Sequence, residues 1–282
     1  MKKTTTQELK QIQKELCDEF IKNTDKIDII LKQFKQSLNG FHNYSINNLI
    51  LAYFQHYEKT GEEIELLASY NTWQKKGRQV RKGEKGLKIL VPRTYKIKDE
   101  NDEVIGEKLY FRTGTVFDIS QTDGEKIRQD YTTNNLNISF NEVVAQLPNI
   151  KITLTNKELE HGATDGKQIW ISNKLSDGEK ICTLFHELAH MKLHYGKNRK
   201  ELTRPFKELE AETVSYIVSS YLGIKNDESS SYIKHWHENH PKETIEGLGE
   251  KLINTSNLII NELGLTTLLV NHKNEDIIEA TS

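Results

Sequence analysis

The chain has 282 residues, 35% of them hydrophobic, which is length for two domains and enough apolar material for a core in each. Its 39 basic and 41 acidic side chains leave a net charge of -2, excluding a protein that holds nucleic acid through overall charge alone. Two cysteines far apart in sequence make no disulfide framework. The opening Met1–Gln7 carries charge with no apolar run behind it, so a cytoplasmic protein without a membrane span is expected.

Apolar residues at helical spacing predict a long helix over about 6 to 36, a second from Ser45 to Tyr57, and a short one around Trp73. Strands are expected at Gly86–Ile97 and Glu107–Phe117, joined by the hairpin-like turn Lys98–Asp102. Between Trp73 and Lys98 stand ten basic residues, Lys75, Lys76, Arg78, Arg81, Lys82, Lys85, Lys88, Arg93, Lys96 and Lys98, opposed only by Glu84. Such a segment, with Trp73 and Tyr95 interleaved, suits a single-stranded nucleic-acid groove in which cations track phosphates and an aromatic ring stacks a base. A solvated basic hairpin face would carry the same charge, and Trp73 would then be a core residue. A polar stretch from Asp118 to about Asn137 offers a division of the chain. Beyond it, Asn141–Leu147 reads as a helix, and Lys151–Leu154 and Gln168–Ile171 read as strands.

Ser176-Asp177-Gly178-Glu179 then forms a capping-box signature ahead of Ile181, Leu184, Phe185, Leu188 and Met191, an apolar stripe at helical spacing, with Gly196 as a stop. Inside that helix lies His186-Glu187-Leu188-Ala189-His190. Two imidazoles four residues apart share a helix face and can hold one Zn²⁺ per chain, leaving Glu187 to take the proton of a water that the metal activates. A catalytic zinc needs a third protein ligand and an open position. Glu208, Glu210 and Glu212 open the next helix. Glu208 is assigned as ligand, and Glu212, on the same face, as acceptor for an imidazole N–H; Glu210 lies about 200° round the helix. The alternative is three solvated glutamates. His194 continues the four-residue series but is about 12 Å along the axis from His186, so it is read as a cap or as support for the ligands. Cys182 is read as a small buried thiol, and His235, His237 and His240 as surface histidines or an accessory site.

Asn71-Thr72-Trp73-Gln74 and Gly77–Gly86, with Tyr44-Ser45-Ile46-Asn47-Asn48 before them and Val116–Thr122 after, resemble the single-stranded-DNA-binding domain of the ArdC-type antirestriction family. The zinc helix, the Glu208 helix ending Tyr221-Leu222-Gly223-Ile224, and Ser231-Tyr232-Ile233-x-x-Trp236 resemble that family's zincin-like C-terminal domain. The resemblance spans about residues 38 to 240. It implies an α+β protein with a DNA-binding domain with a basic β-hairpin at 38–125, a linker at 126–138 and a gluzincin-type metallopeptidase domain at 139–270; the helical extension at 1–37 and the polar tail at 271–282 carry no motif of that family and are read from the residues alone. The DNA-binding residues expected are Tyr44, Trp73, Lys75, Arg78, Arg81, Lys82, Lys85 and Lys88.

Single-stranded DNA and a possible protein substrate are the implied partners, and the implied activity is protection of mobile-element DNA from restriction. The alternative is a regulatory metallopeptidase that cleaves a repressor or host protein, with DNA serving only to localise it. A pure binding module stapled by zinc is disfavoured, because a structural site has no use for Glu187.

Overall fold

The computed structural model describes residues 5–22, 44–98, 103–127, 138–156, 161–195, 202–239 and 247–271. The chain is α+β and divides into two compact units, Met1–Leu16 with Asn47–Arg128 and Cys17–Ile46 with Gln129–Ser282. The first helix, α1, covers Thr6–Phe20 and gives way to a turn at residues 21–22, short of the predicted run to about 36. Residues 23–43, the hairpin turn 99–102 and the tail from 272 fall outside the described residues.

In the first unit, helix α2 (Ile46–Thr60) lies against strand β3 (Leu87–Lys98), which pairs antiparallel with β4 (Val104–Asp118). Two amide side chains two turns apart on α2 make the junction. Asn48 exchanges both hydrogen bonds with the Leu90 backbone at 2.9 Å, and Gln55 does the same with Lys88 at 2.8 Å. They satisfy the outward backbone groups of β3, which forms the edge of a sheet ordered β1–β4–β3, β1 being Leu67–Ala68. Leu9, Leu51 and Leu90 pack beneath, with Leu16 and Phe111 against them.

Helix α3 (Tyr70–Lys75) is capped by Ser69, whose hydroxyl accepts from Thr72 N. A short ribbon of β2 (Arg78–Val80) and β5 (Thr122–Gly124) follows. The polar run that begins at Asp118 is therefore structured at its start. Asp118 is fully buried because its carboxylate accepts from the backbone N–H groups of Glu65, Leu66 and Ser120, a role that polarity alone does not reveal.

The second unit holds helix α4 (Phe140–Ala145) and a three-stranded sheet of β6 (Lys151–Thr155), β7 (Gly162–Thr164) and β8 (Gln168–Ser172). Helices α5 (Asp177–His194), α6 (Arg204–Leu222), α7 (Asp227–Asn239) and α8 (Leu248–Glu262) follow. The Ser176–Glu179 capping box is present at the start of α5. Gly223 ends α6 in the left-handed conformation, φ 76°, that favours glycine. Asp18 caps α8 by accepting from Gly247 N and Gly249 N at 2.7 and 2.6 Å.

β8, directly ahead of α5, sits in the middle of its sheet, parallel to β6 and antiparallel to β7, so both its sides are paired and β6 and β7 form the edges.

Candidate metal centre

Helices α5 and α6 bring the candidate ligands together. The Nε2 atoms of His186 and His190 are 2.9 Å apart, and Glu208 Oε2 is 3.4 Å from each. Three donors on a tetrahedral ion at 2.0–2.1 Å would sit roughly 3.4 Å from one another, so this triangle fits a first-row divalent ion with nitrogen and oxygen ligands. These are the residues among those described whose donor atoms converge well enough to hold a metal.

Each imidazole is held from behind. Glu212 Oε1 lies 3.2 Å from His186 Nδ1, and the other oxygen of Glu212 accepts from Ser229. His190 Nδ1 lies 2.8 Å from His194 Nδ1, and His194 Nε2 lies 2.8 Å from Glu210 Oε2. Lys251 of α8 donates to the remaining Glu210 oxygen. With His190 Nε2 turned to a metal, one proton arrangement completes this line: His190 Nδ1–H donates to His194, and His194 Nε2–H donates to Glu210. The reading of three solvated glutamates fails, because Glu210 is 1% exposed. Sequence reasoning set Glu210 aside for being on the wrong face. That face meets His194 one turn beyond the ligands, and the visible signal was the third histidine of the four-residue series.

The electrostatics suit a cation. Burial disfavours a charge on His186, but its hydrogen bonds to the Glu208 and Glu212 carboxylates outweigh it and raise its pKa to about 10. Bonds accepted from His186 and His190 hold Glu208 far below the usual carboxylate range. Glu187 is not drawn into the ligand triangle. It is buried, and burial pushes its pKa up against the pull of the two histidines. It faces a cavity of about 470 Å³ that His161, Gly162, His186, Glu208 and Glu212 also line. A Cβ on Gly162 would lie 2.6 Å from Thr183 Cγ2 and 3.3 Å from Glu187 Oε1, so glycine there lets the edge strand β7 lie against the catalytic-type helix.

Cys182 also lines the cavity, its thiol pushed up by burial despite a bond from Ser219. His235 is exposed and His240 lies outside the described residues. A residue that sequence reasoning missed is Tyr232 of α7. Burial, then the charges of Glu208 and Glu212, raise its pKa, and its hydroxyl donates to Pro205 O at 3.2 Å.

The expected DNA-binding residues are partly buried, partly bonded within the fold and partly exposed. Trp73 is fully buried and its indole N–H donates to Phe117 O at 3.0 Å, so no ring face is open to a base; its assignment as a stacking residue is corrected. Tyr44 is corrected for the same reason, its ring being buried. Arg78 spends its guanidinium on Thr122, Gly124 and Glu125, which locks β2 to β5. Arg81 pairs with Glu84 and Asp123 and donates to Ser120 O. Lys75, Lys82, Lys85 and Lys88 are exposed, Lys88 also donating to Thr115 at 2.9 Å.

Residues 2–132 match the family model for the N-terminal domain of anti-restriction factor ArdC, and residues 145–232 match that of the IrrE N-terminal-like, M78-type peptidase domain. The fold is that of the metal-free crystal structure of antirestriction protein ArdC from plasmid R388, which shares 21% identity at a TM-score of 0.53 over 90% of this chain and 97% of that one. Its Mn(II)-bound form superposes at 0.49. An uncharacterized protein of Bacillus anthracis is 26% identical over 83% of this chain, which spans about half (48%) of that relative's length.

These comparisons define a two-part chain, an ArdC-type domain followed by a peptidase-like domain with a His/His/Glu cluster able to coordinate a metal. That make-up is consistent with an ArdC-type antirestriction protein. No helix among the described residues is long and apolar enough to cross a membrane.

Proposed function

We propose that this chain is a mobile-element antirestriction protein whose first unit binds single-stranded DNA without sequence preference and whose second unit is a zinc-dependent peptidase of the gluzincin type. The observation that carries the peptidase reading is the convergence of His186, His190 and Glu208 beside a buried Glu187 on an open cavity. The match of residues 2–132 supports the DNA-binding reading.

His186, His190 and Glu208 would hold one Zn²⁺, which supplies Lewis acidity toward a carbonyl and lowers the pKa of water in the cavity. Glu187 acts as general base. Its pKa, raised by burial, brings a carboxylate closer to neutrality, where it takes and returns a proton most effectively. Glu212 orients His186, and His194 with Glu210 orients His190, so that both Nε2 lone pairs point into the site. β7, an edge strand that begins at Gly162 beside the cavity, would receive an extended peptide as an added strand.

The second reading, a regulatory metallopeptidase that cleaves a repressor or host protein with DNA only localising it, draws on the IrrE-type match at 145–232. Transformation or conjugation into a restricting host separates the two. If Glu187→Gln protects incoming DNA as wild type does, binding is the protective act. Loss of protection at equal expression and metal content would favour the protease reading.

A further inference from the structure

The distal half of the β3–β4 hairpin is exposed on both sides, and the two sides differ in chemistry. The register sets Val91 opposite Arg112, Arg93 opposite Tyr110, Tyr95 opposite Lys108 and Ile97 opposite Gly106. Directly opposed residues of an antiparallel ladder point to the same side, so one face carries Arg93, Lys108, Arg112 and two tyrosines, with no carboxylate among the described residues of these pairs. The other face, at the same level, holds Thr94 opposite Leu109 and Lys96 opposite Glu107. Farther back, Leu90 and Phe111 of that second face are taken up by the core. Tyr95 and Tyr110 are 47% and 38% exposed, with ring centroids 5.7 Å apart and planes tilted by 59°.

We propose that this face is the bed for single-stranded DNA, with bases on Tyr95 and Tyr110 and phosphates on Arg93, Lys108 and Arg112. The inference rests on the reading of the first unit as DNA-binding and moves the stacking role from buried Trp73 to rings that are accessible. Three cations without a carboxylate complement a phosphate backbone. Exposed aromatic rings among them match unpaired bases, whose faces a duplex would hide. Tyrosine suits the place, because a cross-strand neighbour holds each ring while one side stays open.

The test uses the full chain and a fluorescent oligothymidine, with affinity read by anisotropy. Tyr95→Ala with Tyr110→Ala is expected to weaken binding by about tenfold or more, the size that loss of a base stack produces. Tyr95→Phe with Tyr110→Phe keeps the rings and is expected to bind as wild type. Thr94→Ala with Leu109→Ala, at the same level on the opposite face, is the control and is expected to leave affinity unchanged. In photo-crosslinking with a 5-iododeoxyuridine oligonucleotide, the adducts are expected on Tyr95 or Tyr110. This readout does not depend on any variant folding. Wild-type affinity in the alanine pair, equal loss in the opposite-face pair, or adducts confined to other segments would overturn the assignment of this face while leaving DNA binding standing. A wild-type protein that binds no single-stranded DNA at low salt would sink both this face and the DNA-binding reading.

Discussion

Glu210 is buried to 1% exposure, with His194 on one carboxylate oxygen and the Lys251 ammonium on the other. Burial alone would raise its pKa, but hydrogen bonds from His194 and Lys251 outweigh that effect and hold it below the usual carboxylate value. A charge kept in this position, two hydrogen bonds from His190, is expected to matter for metal binding. Glu210→Ala should weaken metal affinity about 10- to 100-fold in a chelator competition, the range seen when the group behind a ligating histidine is removed. Unchanged affinity would mean that the line through His194 is structural packing only. Trp73 tests the opposite kind of residue. Trp73→Ala should cost about 3–5 kcal/mol of unfolding free energy, as large-to-small changes in a packed core do. Lost DNA affinity at full stability would contradict its place in the core.

At the scale of elements, α5 was legible because its start carries a capping box and its apolar residues, Ile181 to Met191, repeat at helical spacing over about three turns. Ser176 accepts from Glu179 N, so Ser176→Ala should lower stability by about 1 kcal/mol in denaturant unfolding; no change would contradict the cap. The two strands of the long hairpin were legible as segments of strand length, and they pair antiparallel. The two- and three-residue strands β1, β2, β5 and β7 were not, because so short a segment shows no period. Their existence depends on partners far away in sequence, such as the Arg78 clamp across β2 and β5.

The α5–α6 pair also sets a pH dependence for the metal-free protein. His186 has a folded pKa raised to about 10, so its contribution to stability is complete below the unfolded value of about 6.5 and is lost as pH rises towards 10. Glu208 is depressed, so its contribution is present above about 4.5 and is lost as pH falls. The melting temperature of the metal-free chain should therefore decline between pH 6.5 and 10. A similar decline in His186→Gln would show that other groups set it.

For the whole molecule, length and the absence of a charge excess pointed to two globular parts, and the motif order pointed to what they are. The convergence of His186, His190 and Glu208 was readable from the sequence because these residues come from two consecutive helices with regular geometry. Among the residues expected to bind nucleic acid, Trp73 and Tyr44 were assigned against their burial, because positive charge and aromatic residues counted along the chain do not show which side chains folding consumes. Folding sends Arg78 and Arg81 into internal bonds and Trp73 into the core, while the cross-strand register gathers Arg93, Lys108 and Arg112 onto one face.

The most direct measurement is metal content after equilibration with Zn²⁺ and gel filtration, for wild type, His186→Ala, Glu208→Ala and Glu187→Gln. One ion per chain is expected in wild type and in Glu187→Gln, with loss in the other two variants. Full occupancy without Glu208, or an empty Glu187→Gln protein, would contradict the arrangement of two histidines and Glu208 as ligands with Glu187 as base.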